Sequence, residues 1–410
     1  MSEESSPKKK NLLKKFLPGI ITGAADDDIS GIVTYSQVGA TAGFSQGWLL
    51  LLSTPLLIIV QGMCAKIGDI TKMGLAAAIS KFINPKFAFL ATFILLLTNV
   101  ATIAADFAGM ASVLNMLMPV VPTLIFLFPV VVSIWYIVVF KNYRIIEKFL
   151  VVAASLLIVY IIAGLAAKPN WSEVLSATFI PKIDFNLTFF AAAVALLGTT
   201  IAPYLFFWQT AEEVEEHKTA QEGGKAFELV IPGMVFSNLI AFFVMITTAA
   251  TFYKVGGFNL STPAEIAKGL EPFAGSAAQI LFAIGILGAG FLAIPVLAAS
   301  SAYAFSEIFG WREGLSQKFS RAKGFYLVLS MTFLVSFIIS ATPANPIKMM
   351  FYSQILVGLV APVLIALIVI LASSSRVLGK YKNGILANFF GWLTVLVMAG
   401  AAIGFLVSIF

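Results

Sequence analysis

The stretch LPGIITGAADDDISGIVTYSQVGA, residues 17–40, places three consecutive aspartates in the middle of an otherwise apolar segment. Asp26 lies eleven residues beyond Lys15, a helical rise of about 16 Å, or half the thickness of the hydrocarbon core of a bilayer. A carboxylate at that depth costs about 2.5–3.5 kcal/mol on the insertion scale. Gly23, the aspartates and Ser30-Gly31 therefore predict a membrane helix that is interrupted at a polar site.

The composition of the whole chain is that of a membrane protein. Of its 410 residues 60% are hydrophobic and only 11% are charged, whereas soluble proteins carry about 25% charged residues. We predict an all-α protein with eleven membrane helices, because the long apolar runs lack the alternation of barrel strands. The predicted helices are 16–41, 47–66, 87–113, 119–140, 146–167, 187–211, 227–252, 275–305, 324–341, 351–373 and 384–408.

The basic residues predict the orientation of these helices. If the N-terminus is cytoplasmic, 21 of the 26 Lys and Arg residues fall in inner segments. Cytoplasmic segments are enriched in Lys and Arg, so we expect a multi-pass plasma-membrane protein with its N-terminus inside and its C-terminus outside. This bias explains the net charge of +6 without a nucleic-acid partner. The outer segments hold only Lys168, Lys182, Lys254, Lys268 and Lys348.

Four acidic residues, Asp26, Asp27, Asp28 and Asp106, lie well inside the predicted helices. We expect no Lys, Arg or His in these helices to neutralise them, so a bound cation is the simplest partner. The single cysteine, Cys64, excludes a cluster of thiolate ligands and an internal disulfide.

A second interrupted helix is predicted five helices after the first. The run AAAVALLGTTIAPYLFFWQT, residues 191–210, contains Gly198, Thr199, Thr200 and Pro203. Two halves of five helices each must be inverted, and paired interruptions in inverted halves indicate a binding site at the membrane midplane. We expect a disordered basic tail (1–15) and one transporter domain (16–410). Its repeats span 16–167 and 187–373, followed by an extra helix at 384–408.

At these two helices the chain resembles the Nramp family of divalent metal transporters, and its departures resemble the Nramp-related magnesium transporter branch. The family's first helix carries Asp-Pro-Gly-Asn with a metal-binding aspartate, which Asp28 matches, whereas Gly31 replaces the asparagine ligand. In the sixth helix Ala202 replaces the family's methionine and Tyr204 its histidine. The other matching positions in the first helix are Pro18-Gly19, Thr34, Gln37 and Gly39-Ala40.

The resemblance implies a LeuT-type fold, with helices 1–5 and 6–10 as inverted repeats, and a metal site at the two breaks. Asp28, the Gln354 amide and the backbone carbonyls of Ala25 and Thr199 are the expected ligands, with Asp27 as a further carboxylate. Gly31, Ala202 and Tyr204 line the same site. We expect Asp26, Asp106 and Gln209, which falls at a second family histidine, in a supporting shell or the vestibule.

The replaced ligands suggest which ion is bound. Loss of the methionine thioether removes the preference for softer transition metals, and an oxygen-lined site with spare room suits Mg²⁺, which keeps part of its water shell. We therefore expect an importer of Mg²⁺, and of Mn²⁺ as a second substrate, that acts as a monomer and carries the ion as substrate without a cofactor. The single histidine, His217, lies in the stretch EEVEEHK, expected to be a solvated loop, so we expect transport without obligatory proton coupling.

Three other kinds of function compete with this one. A proton-coupled Mn²⁺/Fe²⁺ transporter of the ordinary Nramp type is the first alternative. An amino-acid permease of the same fold would place a substrate carboxylate where the aspartates repel it, and an ion channel is disfavoured by the paired broken helices. An enzyme is not expected, because the helices contain no nucleophile–base pair, histidine-rich metal motif or phosphate loop.

Overall fold

A computed structural model describes residues 23–140, 155, 157–215, 226–256 and 260–409, and every regular element in these ranges is helical. Most of the predicted helices are found there with bounds shifted by a few residues. The predicted tail, Pro18-Gly19, His217 and the first part of the fifth predicted helix lie outside the described residues.

The first membrane helix is broken at the aspartates, as the sequence predicts. Residues 23–26 are helical, Asp27 and Asp28 are not, and α1 (Ile29–Ala42) begins directly after them. The Asp28 backbone is extended and its carboxylate accepts a hydrogen bond from the Gly31 amide, the usual role of an aspartate before a helix. Ser30 and Gly31 belong to the new helix, so the break is shorter than predicted.

The rest of the first half consists of three long apolar helices and three shorter ones. Asn84 caps the longest of them with its side chain, and Pro85 occupies its first position, where a missing N–H costs nothing. These elements are α2 (Gly47–Thr71), α3 (Leu75–Phe82), α4 (Pro85–Leu117), α5 (Thr123–Phe140), α6 (Ile158–Ala166) and α7 (Trp171–Phe179).

The second broken helix consists of α8 (Leu187–Thr200) and α9 (Pro203–Glu215). The prediction placed the break across residues 198–203, but the helix continues through Thr200 and only Ile201 and Ala202 separate the two parts. Pro203 explains the position of the break, because proline has no N–H to donate to the preceding turn.

The remaining helices complete the second half and add one at the C-terminal end. They are α10 (Ala226–Thr251), α11 (Pro263–Lys268), α12 (Glu271–Ala274), α13 (Ala278–Phe309), α14 (Lys323–Ser340), α15 (Pro346–Ser373), α16 (Ser375–Leu378) and α17 (Ile385–Ser408). Among the described residues, nine helical segments are long and apolar enough to cross a membrane.

The two broken helices occupy the centre of the bundle. In the most apolar part of Leu187–Glu215, 89% of the residues are buried, against 22% in Ile385–Ser408. α1 packs against α8, α10 and α15, whereas large apolar side chains such as Leu396 (68% exposed) and Val407 (69% exposed) face outward. An outward-facing apolar surface is suited to lipid.

A basic residue lies more than one turn inside a membrane helix, contrary to the sequence prediction that none would. Lys66 falls within α2, which extends to Thr71. Its ammonium group donates to the Asn383 side chain at 2.7 Å and lies 5.8 Å from the Phe227 ring centre. It forms no ion pair with a described carboxylate and therefore leaves the aspartates at the break without a basic partner.

Gly198 allows α8 to lie directly against α15. A Cβ atom there would be 2.3 Å from the Gln354 carbonyl oxygen, whereas one at Gly400 in α17 would meet nothing within 4 Å. We expect Gly198→Ala to destabilise the protein by about 1–3 kcal/mol, because the two backbones must separate. Gly400→Ala is the control: its added methyl group meets no neighbouring atom, so this variant changes helix propensity alone. Thermal unfolding of both variants in detergent tests this, and equal melting temperatures would contradict the packing.

Candidate metal site

Four carboxylates are buried around the break between Asp26 and Ile29. Asp26, Asp27 and Asp106 are 0% exposed and Asp28 is 1% exposed. Within the described residues no Lys, Arg or His forms an ion pair with any of them. Buried charges in proteins are paired or bind a metal ion, so this cluster has an unbalanced negative charge that a cation would neutralise.

Asp28 and Asp106 are joined through the first turn of α1. The Ser30 amide and hydroxyl donate to one Asp106 carboxylate oxygen at 3.0 and 2.6 Å, and the Gly31 amide donates to Asp28 at 2.5 Å. The other Asp106 oxygen is buried and has no hydrogen-bond partner in the part of the chain that the structure describes. α4 thus brings Asp106 to the same turn of α1 that Asp28 caps.

Because Gly31 has no side chain, two oxygen atoms can lie close to its Cα atom. A Cβ atom at this position would be 2.6 Å from the Thr199 hydroxyl oxygen and 2.9 Å from a carboxylate oxygen of Asp28. The break in α1 therefore meets the last turn of α8 where a hard cation would find both oxygens. The end of a helix also leaves backbone carbonyls free to bind an ion, which fits the expected role of Thr199.

Tyr204 borders this region on the side of α9. Its hydroxyl donates to the Ala25 carbonyl at 2.6 Å, so the tyrosine in place of the family histidine contacts an expected ligand. Ala202 lies in the break between α8 and α9 and is 1% exposed. The carbonyl oxygen of Ala25 keeps a second lone pair for a cation.

The two predicted glutamines lie in different surroundings. Gln354 in α15 is 2% exposed, and its backbone contacts α8 at Gly198. Its side-chain nitrogen has no hydrogen-bond partner within the described ranges. Gln209 instead links α2 to the end of α9. It accepts from Gln61 at 3.4 Å and donates to Glu213 at 3.0 Å.

Ser237 in α10 is a contact that the sequence analysis missed. Its hydroxyl lies 2.7 Å from Asp26 and 3.4 Å from Asp27, so both carboxylates are directed toward α10. The available signal was the pair Ser237-Asn238 in the middle of an apolar run. Two adjacent polar residues at that depth indicate an internal polar contact.

The acidic end of α9 is folded, although the stretch containing it was predicted to be a solvated loop. Helix α9 includes Glu212 and Glu213, which are 7% and 1% exposed. Glu215, the last residue of α9, accepts from the Tyr303 hydroxyl and from the Ser316 amide at 2.7 Å. These contacts hold the end of α9 to α13 and to the loop that follows it.

Comparisons with known proteins found a matching family model, related sequences and similar folds. The family described as "Natural resistance-associated macrophage protein-like" (Nramp) matches residues 19–408. The divalent metal cation transporter MntH of Caldanaerobacter subterraneus is 25% identical, with 95% of this chain and 94% of the relative covered. MntH of Yersinia pestis is 25% identical over 98% of this chain and 97% of its own length.

Solved structures show the fold. The manganese transporter of Eremococcus coleocola superposes with a TM-score of 0.75 at 19% identity, covering 100% of this chain and 89% of that one. The nucleobase–cation symporter MHP1 gives 0.62 at 13% identity, with 96% and 91% covered. MhsT in complex with L-phenylalanine gives 0.58 at 14% identity, with 95% and 97% covered. These are LeuT-type folds, as the resemblance stated from the sequence implied.

Glu313, in the loop between α13 and α14, should make stability depend on pH. Burial, with Glu307 and Glu215 nearby, raises the pKa of Glu313 from 4.5 to about 9. Protonated Glu313 therefore makes its full contribution to the folding stability below pH 4.5. That contribution is lost as the pH rises through 9. Glu313→Gln stays neutral, so we expect it to raise the melting temperature at pH 9 and to change it little at pH 5. The exposed Glu271→Gln is the control, and a parallel shift of both variants at pH 9 would contradict this assignment.

Proposed function

Because the chain belongs to the Nramp family, shown by the match over residues 19–408, we propose that it carries divalent metal cations across the membrane. The curated relatives are named as divalent metal cation transporters. The observation that carries the proposal is the group of four buried carboxylates with no basic partner among the described residues. A divalent cation supplies the missing charge, and the two broken helices supply oxygens to hold it.

The ion binds where α1 and α8 meet. Asp28 provides the carboxylate, while the Ala25 carbonyl, the Thr199 carbonyl and the Gln354 amide complete a set of oxygen ligands. Gly31 keeps the region between Asp28 and Thr199 free of a side chain. The hydrogen bonds from Ser30 to Asp106 hold the first turn of α1 in place and so fix the direction of the Asp28 carboxylate.

Mg²⁺ is the substrate that these ligands favour, with Mn²⁺ second. The break in the second broken helix has Ala202, which offers no thioether sulfur, and soft sulfur ligands are what distinguish later transition metals from Mg²⁺. Mg²⁺ binds through few protein oxygens and keeps several waters. The ion therefore needs only the carboxylate and a few carbonyl oxygens, and waters supply its remaining ligands.

Membrane voltage can drive this transport without protons. A divalent ion gains about 4.6 kcal/mol per 100 mV of inside-negative potential, enough for more than a thousandfold accumulation. The described residues include no histidine, the side chain that most readily exchanges protons near neutral pH. We propose that the chain lies in the plasma membrane with its N-terminus in the cytoplasm, as the Lys and Arg distribution favours.

A proton-coupled manganese or iron transporter is the second candidate. One observation favours it: the aligned Eremococcus coleocola structure is of a manganese transporter. An amino-acid permease is the weaker alternative, although MhsT with bound phenylalanine has a similar fold. In this chain the aspartates at the α1 break would repel a substrate carboxylate.

Two substitutions test the ion site and its selectivity. Asp28→Asn keeps the shape of the side chain but removes its charge, so uptake of Mg²⁺ and Mn²⁺ into proteoliposomes should fall at least tenfold. Ala202→Met adds a thioether, and we expect it to raise the ratio of Cd²⁺ to Mg²⁺ uptake about tenfold. The exposed Asp184→Asn serves as the matched control for loss of an acid.

The proposed function fails if Asp28→Asn transports as fast as Asp184→Asn. The preference for Mg²⁺ fails separately if the wild-type protein takes up Mn²⁺ or Fe²⁺ while Mg²⁺ is neither carried nor competes.

Proton coupling is tested with liposomes that contain a pH-sensitive dye and carry an inside-negative potential set by a potassium gradient. We expect Mg²⁺ to enter without acidifying the lumen, because no proton needs to accompany it, and entry should increase with the potential. Liposomes containing the Asp28→Asn variant correct for leakage. Acidification in a fixed ratio to the Mg²⁺ taken up would instead establish the proton-coupled alternative.

A further inference from the structure

We propose that a groove between α4, α15 and α17 binds one phospholipid with a negatively charged headgroup. Both α4 and α17 pack against α15, and a cavity of about 370 Å³ lies where the three helices meet. This volume is within the range of about 300–1,000 Å³ that ligand pockets occupy. The described residues that line it are all apolar, and they come from 87–94 in α4, 362–367 in α15 and Val395 in α17.

The groove opens onto the outward-facing surface of the bundle. In its lining Phe87 is 51% exposed and Val363 is 54% exposed, whereas Ala91 and Leu364 are buried. An exposed apolar surface on a membrane-spanning helix is suited to lipid chains. From Phe87 to Ile94 the helix rises about 10 Å, or about two-thirds of one leaflet of the hydrocarbon core. The groove therefore has the surface and the length to hold much of one acyl chain.

The helix ends beside the groove lie at one surface of the membrane. α4 begins two residues before Phe87, and α15 ends six residues beyond Leu367. Near the end of α2, Lys66 donates to Asn383, which lies between α15 and α17, at 2.7 Å. The chain passes from α2 to α4 through only the short helix α3, so the start of α4 and the end of α15 are at the same surface. The distribution of Lys and Arg predicts that this surface is cytoplasmic.

The segments at this end of the groove are basic. They carry five exposed side chains, none of which forms an ion pair within the described ranges: Lys81, Lys86, Arg376, Lys380 and Lys382. Residues 75–105 and 346–409 contain no Asp or Glu, and Asp69, the acid that precedes them, is paired with Lys72. Basic groups at the end of a groove between membrane helices attract anionic headgroups. Charge therefore selects an anionic phospholipid over a zwitterionic one.

A lipid in this groove would join α17 to the rest of the bundle. In the most apolar part of α17 only 22% of the residues are buried, the lowest share among the candidate membrane helices in the described part of the chain. An acyl chain that contacts Val395 on one side and α4 on the other adds apolar contact where the protein itself supplies little. Because such a lipid binds only the folded protein, it should also stabilise it.

Native mass spectrometry of the purified full-length protein, delipidated in detergent, counts the lipids that it retains. The probes are dioleoylphosphatidylglycerol and dioleoylphosphatidylcholine, which have the same chains and differ in headgroup charge. We expect the wild type to retain one phosphatidylglycerol about tenfold more tightly than phosphatidylcholine. Ala366→Phe places a ring in the groove and should weaken this retention at least tenfold. Gly400→Phe is the matched control, because an added side chain there meets no neighbouring atom and Gly400 does not line the groove.

A double variant tests the headgroup contact and covers the case in which Ala366→Phe does not fold. Lys86→Gln/Arg376→Gln leaves the groove intact, and its affinity for phosphatidylglycerol should fall to that for phosphatidylcholine. Lys348→Gln is its control, because Lys348 is also exposed but lies at the opposite end of α15.

The proposal is overturned if the wild type retains both lipids equally, or if the double variant keeps the preference for phosphatidylglycerol. It is also overturned if Ala366→Phe retains phosphatidylglycerol as tightly as Gly400→Phe. A dimer that Ala366→Phe converts to monomers would show that a second copy of the chain occupies the groove, and would contradict the proposal too. Lipid retention is measured without ion transport, so this inference and the proposed function fail independently.

Discussion

The structure depends on negative charge that is buried without a basic partner among the described residues. On the insertion scale the four carboxylates together cost on the order of 10 kcal/mol at the membrane centre, which is comparable to the whole folding stability of a typical domain. Hydrogen bonds from Ser30, Gly31 and Ser237 offset part of this cost. One oxygen each of Asp26, Asp27 and Asp106 has no hydrogen-bond partner among the residues that the structure describes, and a cation is the group that can complete them.

The two helix breaks place the buried aspartates beside free backbone carbonyls, where together they can bind an ion. In an unbroken helix the Asp28 carboxylate would point outward from a backbone whose carbonyls are already bonded. The break turns Asp28 into the cap of α1 and brings the Ala25 carbonyl within reach of α9. On the other side, Pro203 ends the hydrogen bonding of α8, and Gly198 lets α8 approach α15, so that Thr199 meets Gly31.

Much of this could be predicted from local sequence. Long apolar runs gave the helices, and three aspartates and a Thr-Thr-Ile-Ala-Pro motif located the two breaks. The partners of these residues could not be predicted, because they lie far away in the chain. Ser237 is 211 positions from Asp26, and only packing brings α10 against α1.

The errors also have physical causes. Lys66 was predicted to be the last residue of its helix and to belong to an inner segment, because helix ends are poorly marked in apolar sequence, whereas α2 continues for a further turn beyond it. The glutamates at the end of α9 were assigned to solvent by their charge alone. Packing against α2 and α13 buries them, and that information is not present in the local pattern.

The most direct test of the central claim is a crystal structure with Mn²⁺, located by its anomalous scattering. The account predicts a peak bonded to Asp28 at about 2.0–2.6 Å, the range of carboxylate–cation contacts, with Thr199 or Ala25 as a further oxygen ligand. Peaks confined to surface acids, with water filling the space around Asp28 and no ion near it, would contradict the claim that this buried charge exists to hold a cation.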